Sequence, residues 1–487
     1  MLSTLKYLCP KKLSFFQGLT NIKNRSFWKN NLRNERLIYP DEIVNETLLK
    51  NGMKLFCEEK NANTTIVGCF LSAGSIYEQE NERGASLFME HLIFNKTKNM
   101  MAEDIENQLA NIGGKFSAIA MRDVFILYGI APSLNVEKII SMLAEFLFNG
   151  LICDDDVEKV KPVILQRLNE MENNHEQVVM DYLSSIAYQG TLLGKSIYPT
   201  TCEIKNITEE QINSFKNRLF KSSNMTIITT GGTAIEEVQC LADHYFYDEI
   251  KNCNNTDPCL TVCPDEVYPK CMSFRFTGSD MRVRDDDNNF GHVAIAIEGP
   301  GYENSNDHFA LNIAKEIVGE WNLGNSGGHN NCHNVAQWSS KFELCHLYKS
   351  FNIAYNCTSL WGCYFVSEKL KIEDMINIIQ KEWMRLCTSL TSHELTRAIN
   401  NYKTKKLIII NDPVGRFFDL TNCIYRNGKY ETICQRLERY ENINADVLCD
   451  VADKYIYDKC PAVVGLGSVE NLPDYNLIRS SMYLLRR

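Results

Sequence analysis

The chain has 487 residues, 44% of them apolar and 10% aromatic, and a formal net charge of −10 at pH 7. This length exceeds a single ordinary domain and predicts two or more lobes, and the apolar content excludes extended disorder. The acidic balance disfavours binding to nucleic acid, and no apolar run approaches the ~18 residues that a membrane span requires.

Residues 1–34 differ in composition from the rest of the chain. They contain seven lysines and arginines and no acidic residue, and the first acid is Glu35. Hydroxyl and bulky apolar residues separate the bases, which is the composition of a mitochondrial import presequence; a disordered basic tail is the alternative. Without these seven charges the net charge changes from −10 to −17, so the remaining body is strongly acidic.

Five stretches rich in β-branched and aromatic residues predict strands. They are residues 64–71, 124–130, 225–230, 293–297 and 462–466. Helical patterns lie between them, the first over residues 85–94. Strands that precede and separate pairs of helices predict an α+β fold.

An internal repeat indicates that the chain contains two copies of one domain. Residues 136–148 and 372–384 both carry apolar residues at helical spacing, 236 positions apart. The same offset relates two predicted capping boxes, Asp155 to Glu158 and Thr391 to Glu394. We therefore predict two duplicated lobes, each a mostly antiparallel sheet with helices packed on one face, which together form a clamshell. The predicted boundaries are 35–255 for the first lobe, 256–270 for a linker and 271–487 for the second lobe.

Two groups of metal-binding residue types are weak candidates for sites. The first, in and beside the predicted linker, is Cys253, Cys259, Cys263 and Cys271. Its irregular spacing and lack of histidines favour reduced thiols over a zinc knuckle. The second, after the glycine-rich residues 324–328, is His329, Cys332 and His333. It is predicted to be an exposed loop, and because it lacks Walker or GxGxxG spacing, phosphate binding is not expected there.

A third group, in the first lobe, resembles part of a catalytic motif. Glu90 and His91 are adjacent within the helix predicted for residues 85–94. In an inverted zincin, two histidines four residues apart bind zinc from one helical face, and the glutamate beside the second acts as the general base. Leu87 stands where the first histidine belongs, and its hydrocarbon side chain has no lone pair for a metal.

The chain resembles the pitrilysin-type (inverted zincin) metallopeptidase family. The resemblance rests on ordered blocks over nearly the whole body, including Ala73 to Ser75, FMEHLIF at 88–94, residues 163–165 and 181–183, residues 284–301, residues 326–328 and the long terminal stretch 458–486. Within this family, the blocks are most similar to the β subunits of mitochondrial processing peptidases and to the core 1 subunits of cytochrome bc1 complexes.

The resemblance assigns site roles residue by residue. It aligns Glu90 with the general base, His91 with the second zinc histidine and Leu87 with the first. The third ligand, a glutamate, aligns with Arg167, whose permanent positive charge repels a metal ion. Glu170 and Glu172 are nearby alternatives, but Glu170 is displaced by about 4.5 Å along the helix.

The resemblance also identifies candidates for a peptide-binding cleft. Asp181 matches one of two carboxylates that hold basic presequences, and Gln177 replaces the other; Asp181 could equally be a surface acid. Arg122 aligns with a position near the active-site cleft, where a structural ion pair is its alternative role.

The implied function is a non-catalytic core 1-type subunit of respiratory complex III. Its expected partners are a core 2-type subunit, cytochrome b, cytochrome c1 and a retained presequence peptide. No cofactor and no nucleic acid are expected, and the expected location is peripheral, on the matrix side of the mitochondrial inner membrane. The alternative is the zinc-dependent β subunit of the processing peptidase. The non-catalytic α partner of that peptidase is a third possibility, disfavoured by the retained Glu90 and His91.

Overall fold

Two six-stranded sheets organise the chain in a computed structural model that describes residues 43–246, 274–302, 305–325 and 327–483. The predicted presequence, the predicted linker and the four-cysteine group lie outside these residues. Sheet 1 is built from residues 44–231 and sheet 2 from residues 280–467.

The strands have the following bounds: β1 Val44–Leu48, β2 Lys54–Glu59, β3 Thr64–Leu71, β4 Lys115–Ala120, β5 Phe125–Pro132, β6 Met225–Gly231, β7 Asp280–Arg284, β8 Phe290–Pro300, β9 Glu320–Asn322, β10 Leu347–Ala354, β11 Thr358–Glu368 and β12 Ala462–Gly467. The described helices of the first half are α1 Ala85–Leu92, α2 Ala102–Ile112, α3 Val136–Asn149, α4 Asp154–Glu172, α5 His175–Ala187, α6 Thr201–Asn206, α7 Glu209–Leu219 and α8 Ile235–Tyr245. Those of the second half are α9 Ser305–Val318, α10 Asn334–Phe342, α11 Ile372–Thr388, α12 Ser392–Asn411, α13 Pro413–Asn427, α14 Ile433–Glu441, α15 Ala445–Tyr455 and α16 Tyr475–Ser481.

The two sheets share the topology of five of their six strands. Sheet 1 has the order β1-β2-β6-β3-β5-β4, and sheet 2 has the order β7-β12-β8-β11-β10-β9. In each sheet one pair of strands is parallel, β2 with β6 and β7 with β12, and the other pairs are antiparallel. Five strands of one sheet therefore have counterparts in the same order in the other. The predicted two-lobed α+β fold with mostly antiparallel sheets is confirmed.

Of the two predicted capping boxes, the structure contains the one at Thr391 and not the one at Asp155. In the second half, Thr391 caps α12 and accepts a hydrogen bond from the amide of Glu394, while its own amide donates to the Glu394 carboxylate, as the capping box predicts. The box predicted at Asp155 is wrong. Helix α4 begins at Asp154 after Cys153, whose side chain makes no capping bond. Asp155 lies inside the first turn, where its carboxylate favours the positive end of the helix dipole.

Sheet 1 is apolar on both faces, because successive residues of its central strand β3 are buried on opposite faces of the sheet. On β3, Val67 and Cys69 join the core formed with helices such as α3. The intervening Ile66 and Phe70 belong to a separate core on the opposite face. A sheet with two apolar faces needs a second covering layer, so helices on one face are not sufficient.

Each half supplies one helix that covers the second face of the other half's sheet. Phe417, Leu420 and Ile424 of α13 pack against the second face of sheet 1. In return, Val179 and Leu183 of α5 pack against sheet 2. These two helices follow α12 and α4, which correspond to each other in the repeat. The halves are thus held together by an exchange of equivalent helices.

A buried ion pair links the two halves on the sheet 1 side. Nε and Nη2 of Arg416 on α13 donate to the carboxylate of Glu58 on β2, with the shortest N–O distance 2.6 Å. The Thr230 hydroxyl also donates to this carboxylate at 2.7 Å. Arg416 is 1% exposed and Glu58 is 6% exposed. Both charges are removed from water, so the loss of either residue alone would leave an uncompensated buried charge.

Two stacked histidines at the contact between α5 and β8 predict a pH dependence. The rings of His175 and His292 lie 4.5 Å apart, and burial, followed by the neighbouring His175, lowers the pKa of His292 from 6.5 to about 4. The unfolded chain therefore binds more protons between these two values, so we expect the urea midpoint to fall as the pH is lowered from 6.5 towards 4. His292→Gln should make this dependence less steep without abolishing it, because burial also lowers the pKa of His308 to about 4. An equally steep dependence in that variant would contradict the prediction.

Candidate functional site

Helix α1 presents Glu90 and His91 and begins at a buried carboxylate. Gly84 precedes the helix with a φ of +87°, in the left-handed region that favours glycine. Glu78 accepts hydrogen bonds from the amides of Gly84 and Ser86, both at 3.0 Å, and from the Ser86 hydroxyl at 2.6 Å. Glu78 thereby satisfies the free amides at the start of α1 and orients the helix. This capping role of Glu78 was not predicted from the sequence, because Glu78 lies outside the helix and several residues before the amides it binds.

Leu87 belongs to the core of the first lobe. Its side chain is 1% exposed and packs within the same cluster as Phe88 and Leu92. Residues four apart on a helix share a face, so Leu87 lies on the face of His91. An apolar side chain therefore occupies the position that the sequence resemblance aligned with the first zinc ligand.

Arg167 reaches from α4 to Glu90 and His91. Its Nη1 donates to Glu90 Oε1 at 2.7 Å and lies 3.4 Å from Nε2 of His91. The other oxygen of Glu90 accepts from the Ala120 amide at 3.1 Å. The side chain of Glu90 is 14% exposed and that of Arg167 is 36% exposed. A guanidinium cation thus contacts both the aligned base and the aligned ligand.

The charges of this cluster oppose protonation of His91. Burial, and to a lesser extent the charge of Arg167, lower the pKa of His91, although the charge of Glu90 raises it. For Arg167, burial lowers the pKa, but the hydrogen bond and charge of Glu90 outweigh it, with a further contribution from Tyr198, and the pKa is raised. The cluster therefore carries one positive charge on Arg167, one negative charge on Glu90 and an imidazole that favours its neutral form.

The donor set does not fit a zinc ion. Zinc sites in proteins require three or four nitrogen, sulfur or oxygen ligands. Within the described ranges, no group of three His, Cys, Asp or Glu side chains is arranged to hold a metal. Glu170 and Glu172 are exposed, and Glu170 accepts a hydrogen bond from Gln166 at 2.9 Å. Neither of them replaces the aligned third ligand next to His91.

The two cleft candidates, Arg122 and Asp181, pair with each other. Nη2 of Arg122 donates to Asp181 Oδ1, and their side chains are 13% and 15% exposed. Gln177 lies exposed in the first turn of α5. Gly74 packs directly against the backbone of Arg122, because a Cβ at position 74 would be 2.2 Å from the Arg122 carbonyl oxygen. Asp181 is therefore already paired with a cation, an arrangement that corresponds to the alternative role of Arg122 in a structural ion pair.

The glycine-rich loop of the second half has the following geometry. Gly327 has a φ of +81°, and His329 and Cys332 are exposed. His333 is half-buried, with Nδ1 3.0 Å from the Ile317 carbonyl oxygen. This backbone contact gives His333 a structural role in the loop.

Family comparisons agree with this architecture. Residues 54–201 match the model of the insulinase family, peptidase family M16, and residues 206–402 match the M16 inactive domain. The mitochondrial-processing peptidase subunit beta of Bos taurus is 34% identical over 436 residues, which are 90% of this chain and 86% of the relative. The chain belongs to peptidase family M16.

This M16 protein is also similar to a cytochrome b-c1 subunit and to a chain of a complex III structure. Cytochrome b-c1 complex subunit 1 of Mus musculus is 32% identical over 440 residues, covering 90% of this chain and 89% of the relative. A chain of the solved structure "Complex III2 from Candida albicans, Inz-5 bound" has a TM-score of 0.79 at 21% identity, covering 91% of this M16 protein and 100% of that chain. At this identity the structural match establishes the shared fold.

Proposed function

We propose that this chain is a non-catalytic, core 1-type subunit of mitochondrial respiratory complex III. In this role it is peripheral to the inner membrane, on the matrix side, and pairs with a core 2-type subunit. It contacts the cytochrome b and cytochrome c1 subunits and contributes structure to the complex. No helix among the described residues has both the length and the apolar content for a membrane crossing.

The contact of Arg167 with Glu90 and His91 is the observation that carries this proposal. The guanidinium lies 2.7 Å from the carboxylate that would activate water and 3.4 Å from the remaining imidazole. A zinc ion at about 3.5 Å from this cation would be repelled by roughly 10 kcal/mol at an effective dielectric constant of about 20. With Leu87 unable to coordinate, a single imidazole remains to oppose this repulsion. Without a metal, Glu90 has no activated water to deprotonate.

The names of the similar proteins support the compartment and the complex. Both groups of relatives are named as mitochondrial or cytochrome b-c1 proteins, and the solved neighbour is titled as complex III. The acid-free residues 1–34 support import into the same compartment.

The alternative is the β subunit of the mitochondrial processing peptidase. Its bovine representative is as similar to this chain as the mouse cytochrome b-c1 subunit, at 34% and 32% identity. This alternative requires zinc bound beside His91, so metal content discriminates between the two functions.

The first test measures zinc and cleavage on the full chain purified with its natural partner. We expect far less than one zinc per chain by elemental analysis, and no cleavage of presequence peptides above the level of Glu90→Gln. Stoichiometric zinc, together with cleavage that disappears in Glu90→Gln, would establish the peptidase alternative and reject the structural role.

The second test concerns partners. A tagged chain isolated in mild detergent is expected to co-purify with haem-containing cytochromes b and c1, visible in the absorption spectrum. Isolation of the chain as a soluble heterodimer without haem would contradict the proposal. In the intact complex we also expect the cleft near Asp181 to hold a retained presequence peptide, and an empty cleft in a well-resolved map would oppose that part.

A further inference from the structure

A small cavity lies within the second half, away from the Glu90 cluster. It has a volume of about 100 Å³ and is lined by helices α9, α12, α13 and α14 together with Tyr302. Its walls combine the aromatic rings of Phe309, Tyr402 and Tyr440 with charged groups. Such a mixture of apolar walls and a few converging polar groups is typical of ligand sites.

Positive charge exceeds negative charge on the walls of this cavity. Lys406, Arg426 and Arg436 line it, whereas Asp419 is the one carboxylate that does so among the described residues. Both oxygens of Asp419 accept from Arg436, at 3.0 and 2.6 Å. The hydrogen bonds of the Asp419 carboxylate are therefore taken by Arg436, and Arg416 and Lys406 form longer ion pairs with it, at 3.6 and 3.7 Å, beyond hydrogen-bond distance.

Arg426 has two buried side-chain nitrogens without a hydrogen-bond acceptor among the described residues. Its side chain is 13% exposed, and Nη2 forms a long ion pair, at 3.9 Å, with Asp123, which lies outside the cavity lining. Within the described part of the chain, neither Nε nor Nη1 of Arg426 has a hydrogen-bond partner. The guanidinium instead lies over the ring of Tyr302, 4.2 Å from its centroid. Buried donors are satisfied in the great majority of native structures, so these atoms point to a missing acceptor.

The positive charges of Arg426 and Lys406 also act on the buried His308. It is 3% exposed, and its Nε2 lies 3.0 Å from the side-chain amide of Asn312. Burial lowers the pKa of His308 to about 4, and the charges of Arg426 and Lys406 add to this effect. An oxyanion would supply the acceptors that Arg426 lacks and would place a further negative charge near Lys406.

We propose that this cavity binds a small oxyanion, carrying a phosphate or carboxylate group, between Arg426 and Lys406. Its volume of about 100 Å³ accommodates a group of the size of inorganic phosphate. The oxyanion would bind to the guanidinium of Arg426 through charge-assisted hydrogen bonds, which are stronger than neutral ones, and would contact Lys406 as a point charge. The site is independent of the zinc question, because none of its residues belongs to the Glu90 cluster.

Titration of the full chain with inorganic phosphate tests this site. Calorimetry at constant ionic strength, balanced with sodium chloride, is expected to give saturable binding of phosphate, and a parallel titration with malonate distinguishes phosphate from carboxylate selectivity. Arg426→Gln and Lys406→Gln should each weaken the binding by about tenfold or more. Lys454→Gln is the matched control, because this lysine is 60% exposed and pairs with Asp307 outside the cavity lining; it should leave binding unchanged.

Two results would overturn the site. One is that neither phosphate nor malonate binds more strongly than chloride. The other is that phosphate binds equally well to both cavity variants. If Arg426→Gln does not fold, as judged by circular dichroism, Lys406→Gln decides alone, because the Lys406 side chain is 36% exposed and its replacement creates no buried unpaired charge.

Discussion

Replacing Arg416 with alanine is expected to lower the apparent free energy of unfolding by about 3–5 kcal/mol, because it leaves a buried carboxylate without its cation. Glu58 is 6% exposed and accepts hydrogen bonds from two guanidinium nitrogens of Arg416. Loss of Arg416 also removes a contact between α13 and sheet 1. Urea denaturation followed by tryptophan fluorescence measures the change, and hydrogen exchange should increase most in α13.

Two further variants separate the charge effect from a general packing effect. The double change of Arg416→Met with Glu58→Leu removes both charges and should recover most of the lost stability, since replacing a buried pair by apolar groups is often neutral. Lys454→Met breaks the exposed pair with Asp307 and should change the stability by less than about 1 kcal/mol. A loss for Arg416→Ala as small as that for Lys454→Met would contradict the role given to the buried pair.

Restoring the two missing ligands is expected to create a zinc site. The combination of Leu87→His with Arg167→Glu supplies an imidazole on the face of His91 and a carboxylate in place of the repelling cation. We expect the purified double variant to bind about one zinc per chain, with three protein ligands and an open fourth position. Without zinc, the introduced carboxylate repels Glu90, so added zinc should also raise the unfolding temperature.

The single variants make this prediction specific. Leu87→His alone retains the cation next to Glu90, and Arg167→Glu alone retains the leucine, so each should bind much less zinc than the double variant. Glu170→Gln, which removes an exposed glutamate of the same helix, should not alter zinc binding of the double variant. Equal zinc in the unmodified chain, or none in a folded double variant, would show that Leu87 and Arg167 do not determine metal binding.

The sequence pattern identified the fold class because local periodicity reports local burial. The predicted strand over residues 64–71 coincides with β3, and the two helices predicted 236 residues apart begin at Val136 and Ile372 as expected. The adjacent Glu90 and His91, with leucine four residues before the histidine, likewise required only the spacing of a single helix. One local signal failed, at Asp155, because three consecutive aspartates give no indication of which one begins the helix.

The local sequence pattern did not predict the contacts between the two halves. The apolar stripe of α13 predicts a buried face, but it does not indicate that Phe417 and Leu420 cover the sheet of the other half. Glu58 and Arg416 are separated by 358 residues. Neither has a sequence neighbour that reveals its partner.

From the sequence alone, Arg167 could be placed at the third-ligand position and recognised as incompatible with zinc. Its direct bond to Glu90 is a tertiary fact, since it depends on how α4 packs beside α1. The same holds for Arg122 and Asp181, which were separate cleft candidates until the fold brought them into one ion pair. Periodicity and spacing act within one element and so determine its type, whereas the partner of a charge is decided by the packing of elements distant in the chain.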